Sequence, residues 1–203
     1  MTQKNLLVRA CGGLAFAGVL FYFLVATVLQ FLRPDYSFMG TPLSFYLLGP
    51  HSAWLHIAFY ALATAIALLA VGCYIASAPP ARSAATLVLF MLGAIGVVVT
   101  ALASTDTSDK LSVHGAIHLL AAALAFIATS FGMLIQSWRF RLDPGWVPRF
   151  RPALELAVFE FLVLWIYALA HIPANGFMQK LTILLILLWL AQTAFWLSIS
   201  RRV

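Results

Sequence analysis

Apolar residues run through this sequence in six long blocks, separated by short stretches rich in Pro, Gly and Ser. The blocks are approximately Leu6–Leu32, Ala53–Ala76, Ala84–Ala103, Val113–Gln136, Pro152–His171 and Phe177–Ser200. Each reaches the length of about 20 residues that an α-helix needs to cross a hydrocarbon core. None alternates with period two, so membrane β-strands are not expected. The pattern predicts an all-α fold: one domain, an integral membrane bundle of six transmembrane helices arranged as three helical hairpins.

The first linker, Arg33–Ser52, is the longest and carries Pro34, Gly40, Pro42, Gly49 and Pro50. It is expected to fold back on the bundle as a re-entrant or interfacial piece. The last linker, Ile172–Gly176, reads as a tight turn. Lys4 and Arg9 precede the apolar run from Leu14 to Leu32 as they would in a signal peptide, but that run is too long for one. It is expected to remain as the first span.

Composition strengthens this picture. Of 203 residues, 64% are hydrophobic and 9% charged, against about 25% charged in a soluble domain. The net charge of +6 would suit nucleic acid, but the basic residues sit at the ends of the apolar blocks. Lys4, Arg9, Arg82, Arg139, Arg141, Arg149, Arg151, Arg201 and Arg202 fall on one side of the predicted bundle. Arg33, Lys110 and Lys180 fall on the other. The positive-inside rule makes the first side cytoplasmic, with both termini there, and places the chain in the inner (cytoplasmic) membrane. The expected partners are membrane lipids and not nucleic acid; an oligomer is compatible with the pattern.

Several aromatics read as interfacial belts: Trp138, Phe140, Trp146 and Phe150 on the basic side, Tyr36, Tyr46 and Trp54 on the other. Gly93, Gly96, Ala121 and Ala125 read as close helix contacts. Cys11 and Cys73 lie in apolar blocks and form no metal or disulfide motif.

The chemistry-bearing residues gather on the side with fewer basic residues. All five histidines, His51, His56, His114, His118 and His171, fall there with Asp35, Asp106 and Asp109. His114 and His118 share a helix face at i and i+4, a spacing that can hold one metal ion. Ser112 before them is a candidate N-cap, and Gly115 between them allows a close approach. His171 or His56 would be the third ligand, and Asp106 or Asp109 an orienting group or general base. Glu160 is separate, near mid-membrane in the fifth block, where it would serve as a proton relay, an ion-path residue or a hydrogen-bond anchor.

Three segments also carry a resemblance: TPLSFYLLGPHSAWLHIAFYALATAIALLAVG, STDTSDKLSVHGAIH and NGFMQKLTILLILLW. Together they resemble a family of uncharacterised prokaryotic six-span membrane proteins, domain of unknown function family 998. The shared features are a Ser–x–Leu–Gly–Pro-like stretch before span two, an Asp followed by His-Gly-x-x-His opening span four, and Gly-x-x-Gln-Arg opening the last span. Lys180 departs from that pattern, standing where Arg is expected. The resemblance implies roles for Asp106, His114, His118, Gln179 and Lys180, and no activity.

The leading expectation is a metal-dependent membrane hydrolase acting on a lipid or lipid-linked substrate. Zinc or another divalent ion would be held by His114 and His118 with His171 or His56, and Asp106 or Asp109 would work on the bound water. Ser44, Gln179, Lys180 and Glu160 would line a substrate or proton path. The competing expectations are a proton- or ion-coupled transporter built on Glu160 and a non-catalytic ligand- or metal-binding protein. Bis-histidine haem is disfavoured, because the cytoplasmic half contains no histidine.

Overall fold

A computed structural model describes residues 3–107, 110–170 and 174–200. Its long helices are α1 (Gln3–Leu32), α2 (Ser52–Ala76), α3 (Ala84–Leu102), α4 (Val113–Phe140), α5 (Val147–Leu169) and α6 (Asn175–Ser198). All six are long and apolar enough to cross a membrane, and the described residues contain no strand. Large side chains such as Phe31 and Leu120 are 80% and 73% exposed. That surface is stable against lipid and not against water.

Each helix packs on its neighbours in sequence, and α6 closes the ring on α1. Helices α2 and α6 also meet across the middle and bury the largest share of their length. An even number of crossings brings the start of α1 and the end of α6 to one face. There Arg9 Nε donates to Ser198 O at 2.9 Å. We call this the terminal face and the opposite one the cap face.

Small residues set close contacts between helices. A Cβ on Gly96 of α3 would lie 2.8 Å from Ala121 O and 2.7 Å from Ala125 N of α4. The sequence reading of these positions as a close helix contact holds. Trp189 of α6 fills the core, fully buried, and its indole N–H donates to Ser137 Oγ and Ala153 O, both at 3.0 Å.

Two boundaries differ from the hydropathy pattern. Helix α4 continues to Phe140, because Arg139 in its last turn donates to the carbonyls of Pro80, Ala81 and Arg82 and so binds the α2–α3 turn. Helix α5 begins at Val147, before the apolar block. Pro148 occupies its first turn, where a missing N–H costs nothing, and Pro152 lies inside the helix. The turn between them is organised by Asp143, which accepts from Ala78 N and Gly145 N, each at 2.8 Å.

The expected aromatic belts need correction. Phe140 and Trp146 are buried and stack at 4.5 Å, and Tyr46 is buried with its hydroxyl donating to Gln30 Oε1. Trp54 and Trp138 are exposed, as belt residues would be.

The first linker folds back as expected. Its 3-10 turn, Leu43–Leu47, inserts Leu43, Tyr46 and Leu47 into the bundle at the cap face. Arg33 anchors its base by pairing with Asp35 at 2.6 Å and donating to Leu48 O at 2.8 Å.

Candidate functional site

The site begins with the capping of α4. Ser112 Oγ accepts the Gly115 N–H at 3.0 Å, the N-cap bond that the sequence predicts. The same hydroxyl donates to Asp106 Oδ1 at 2.6 Å, and Ser112 N donates to Oδ2 at 2.8 Å. These two bonds, the hydroxyl first, hold the Asp106 carboxyl below its ordinary range; His114 and His118 contribute less. The group stays ionised through neutral pH, with acceptor capacity left on both oxygens. Gly115 is required here, because a Cβ would overlap Asp106 Oδ2.

One turn further along α4, His118 is buried, with Nδ1 2.9 Å from Ala103 O. A carbonyl only accepts, so Nδ1 carries the proton and a neutral ring leaves Nε2 as an acceptor.

The first turns of α6 form the other side. Gly176 lies so close to Thr41 O that a Cβ would sit 2.5 Å away, and Phe177 N donates to Met39 O at 2.9 Å. The first linker is thereby sealed onto α6. Gln179 Oε1 accepts from Leu43 N at 2.7 Å and its Nε2 donates to Tyr167 Oη at 3.3 Å. Tyr167 keeps its own proton to donate. Lys180 turns to another side of α6, where Nζ donates to Phe38 O at 2.7 Å and Thr41 O at 2.9 Å.

Between these groups lies a cavity of about 470 Å³ lined by Asp106, His118, Ser44, Tyr167 and Gln179 at its polar end. Its remaining wall is apolar and comes mainly from α4 and α5, including Ala123, Phe126, Ile127, Leu164 and Trp165. Leu119, Ile127 and Trp165 line it while 58%, 43% and 40% exposed on the lipid-facing surface. The cavity therefore opens sideways, between α4 and α5. A smaller cavity of about 80 Å³ adjoins it, sharing Ser44, His118 and Gln179.

The sequence-derived residues divide accordingly. Asp106, His118, Ser44 and Gln179 come together. His114 is exposed and does not line the cavity. The buried stripe of α4 runs through Gly115, His118 and Ala121, which leaves His114 beside it in the first turn. His56 is half-buried, with Nδ1 2.9 Å from Ser52 O in its own helix, and lies outside the cavity lining. Lys180 lines a different groove. Glu160 lies one turn below Leu164, fully buried, with Oε1 accepting from Ser130 Oγ at 2.9 Å. Asp109 and His171 lie outside the described residues. Among the described residues, no three His, Cys, Asp or Glu side chains gather closely enough to hold a metal ion. Tyr167 was missed, since a tyrosine in an apolar block gives no signal until Gln179 is placed beside it.

A family model described as a protein of unknown function (DUF998) matches residues 16–196. No curated protein and no solved structure matches the chain.

Proposed function

We propose a role for a chain that belongs to this family, DUF998, whose description assigns no activity: it is a multi-pass membrane protein that takes an amphipathic molecule from the bilayer through the α4–α5 opening. The observation that carries this reading is the joint character of the cavity. One end is polar and ordered, and the other is walled by lipid-facing side chains. Such a shape suits a molecule that arrives in the plane of the membrane with its polar group at the cap face.

The polar end also selects chemistry. The Asp106 carboxylate is an acceptor, as is Nε2 of His118 when the ring is neutral, and no Lys or Arg is among the described lining residues. A headgroup bearing ammonium or hydroxyl donors satisfies both acceptors, and the Tyr167 hydroxyl then donates to an oxygen of the ligand. The distribution of Lys and Arg supports reading the cap face as the outer one, with this end of the cavity in the outer leaflet.

Metal-assisted hydrolysis of the bound molecule is the second reading. Its specific support is the His118 ring, which gives Nδ1–H to a carbonyl and presents Nε2, as metal-bound histidines do. Asp106, which lines the same end of the cavity, would be the oxygen ligand.

The test uses protein reconstituted in mixed bilayers, with tightly retained lipids quantified by mass spectrometry. Wild type is expected to enrich phosphatidylethanolamine, whose headgroup donates, over phosphatidylcholine, whose headgroup does not. Asp106→Asn weakens the preference, and Ala123→Trp, at an exposed position of the cavity wall, blocks retention. Equal retention of the two lipids by wild type overturns the proposal. Elemental analysis of wild type and His118→Ala tests the metal reading: a near-stoichiometric ion lost in the variant supports it, and none in either excludes it.

A further inference from the structure

Gln179 and Lys180 are consecutive in α6, so their side chains leave the helix about 100° apart. Gln179 serves the α4–α5 cavity. Lys180 stands at the head of a second hollow, about 480 Å³, between α1 and α6. The two hollows share no lining residue.

The second hollow has its own polarity. Its length is apolar, from Phe31 and Leu184 at the cap end to Tyr22 and Leu187 deeper in the bundle. Phe23 and Phe31 line it and are 40% and 80% exposed, so it too faces lipid. At its head are Gln30, Thr27 and Lys180. The Lys180 ammonium has three donors, and two are committed to Phe38 O and Thr41 O. Nζ also lies 4.7 Å from the Phe38 ring centroid and 5.7 Å from that of Tyr46.

No carboxylate among the described residues pairs with Lys180. The residue stands about 8 Å along α6 from Asn175, within reach of the headgroup layer. Two carbonyl oxygens and two ring faces fix the ammonium in place but leave its charge uncompensated. A negatively charged group at the mouth of the groove supplies the missing charge, and its acyl chain fills the apolar length.

We infer that the α1–α6 groove is a binding site for an anionic phospholipid of the surrounding leaflet, whose phosphate takes the remaining N–H of Lys180. The groove shares no lining residue with the amphiphile cavity, although the cavity of about 80 Å³ beside that one also shares Tyr22, Leu43, Ile183 and Leu187 with the groove; the assignment stands whether or not the amphiphile cavity binds its own ligand. Because Lys180 also ties Phe38 and Thr41 to α6, the lipid would reinforce the seat of the first linker.

The experiment measures retention of phosphatidylglycerol against phosphatidylcholine by native mass spectrometry after reconstitution in mixed bilayers. Wild type is expected to retain the anionic lipid in preference. Lys180→Met lowers the preference roughly fivefold, the conversion of about 1 kcal/mol per basic residue at an anionic surface. Thr27→Trp, at an exposed position of the groove wall, lowers it comparably without touching the first linker's anchors, and Ala123→Trp leaves it unchanged. No preference in wild type, a preference lost in Ala123→Trp, or one unaffected by Thr27→Trp each overturns the assignment. The last outcome, with loss in Lys180→Met alone, reduces Lys180 to an anchor of the linker.

Discussion

Replacing Glu160 by alanine and by glutamine separates a structural carboxyl from a charge-carrying one. Glu160 Oε1 accepts the Ser130 hydroxyl, Oε2 is buried without a partner, and no ion pair among the described residues involves this side chain. A membrane interior accepts such a group as the neutral acid. Alanine removes the Ser130 bond, about 0.6–1.7 kcal/mol for a hydrogen bond inside a membrane protein. It also leaves a void between α4 and α5 costing roughly 1 kcal/mol or more. The expected loss is about 2–3 kcal/mol. Glutamine keeps the shape and the acceptor and carries no charge, so its cost stays near or below about 1 kcal/mol. Reversible unfolding in mixed micelles, followed by tryptophan fluorescence and circular dichroism, measures both. If glutamine destabilises as much as alanine, or alanine costs nothing, the hydrogen-bond-anchor account of Glu160 is wrong. If glutamine is stable but abolishes a proton-driven flux, the carboxyl belongs to a transport path.

The remaining predictions concern the core and the cap. Trp189→Phe removes the indole N–H from Ser137 Oγ and Ala153 O and is expected to cost about 1–3 kcal/mol in the same unfolding assay. Gly115→Ala forces Asp106 away from Ser112; helix content is expected to persist while phosphatidylethanolamine enrichment is lost. The Asp106 carboxyl is depressed in the folded protein, so its contribution is present above the ordinary carboxylate range and disappears as pH falls through its lowered value. Hydrogen-exchange protection at Ser112 and Gly115, corrected for intrinsic rates, should therefore drop in acid, and Asp106→Asn should show no such step.

The six helices were legible because length and hydropathy decide them, and Gly96 with Ala121 and Ala125 marked a close crossing of α3 and α4. Ser112 as N-cap was legible because capping is local. The site was only partly so. The i,i+4 spacing put His114 and His118 on one face, but a face is wider than a buried stripe. Gly115 packs against Asp106 and His118 against Ala103, and His114 is left exposed. The role of the first linker could be guessed from its Pro and Gly content, whereas its docking on α6 rests on contacts such as Phe177 N to Met39 O, 138 residues apart in number, that no local pattern encodes. The separation of Gln179 from Lys180 into two cavities likewise depended on where α1 and α5 lie.

The central claim is that a lipid-like molecule occupies the α4–α5 cavity and that its headgroup is selected there. It is tested most directly by photo-crosslinking in bilayers of mixed phosphatidylethanolamine and phosphatidylcholine. A photoreactive residue is placed at Ile127 or Trp165, which line the cavity, or at Leu162, which is 56% exposed on α5 outside it. The account predicts lipid adducts at Ile127 and Trp165 enriched in phosphatidylethanolamine beyond its share of the bilayer, with adducts at Leu162 matching the bulk. Adducts at all three positions that follow the bulk composition would contradict it.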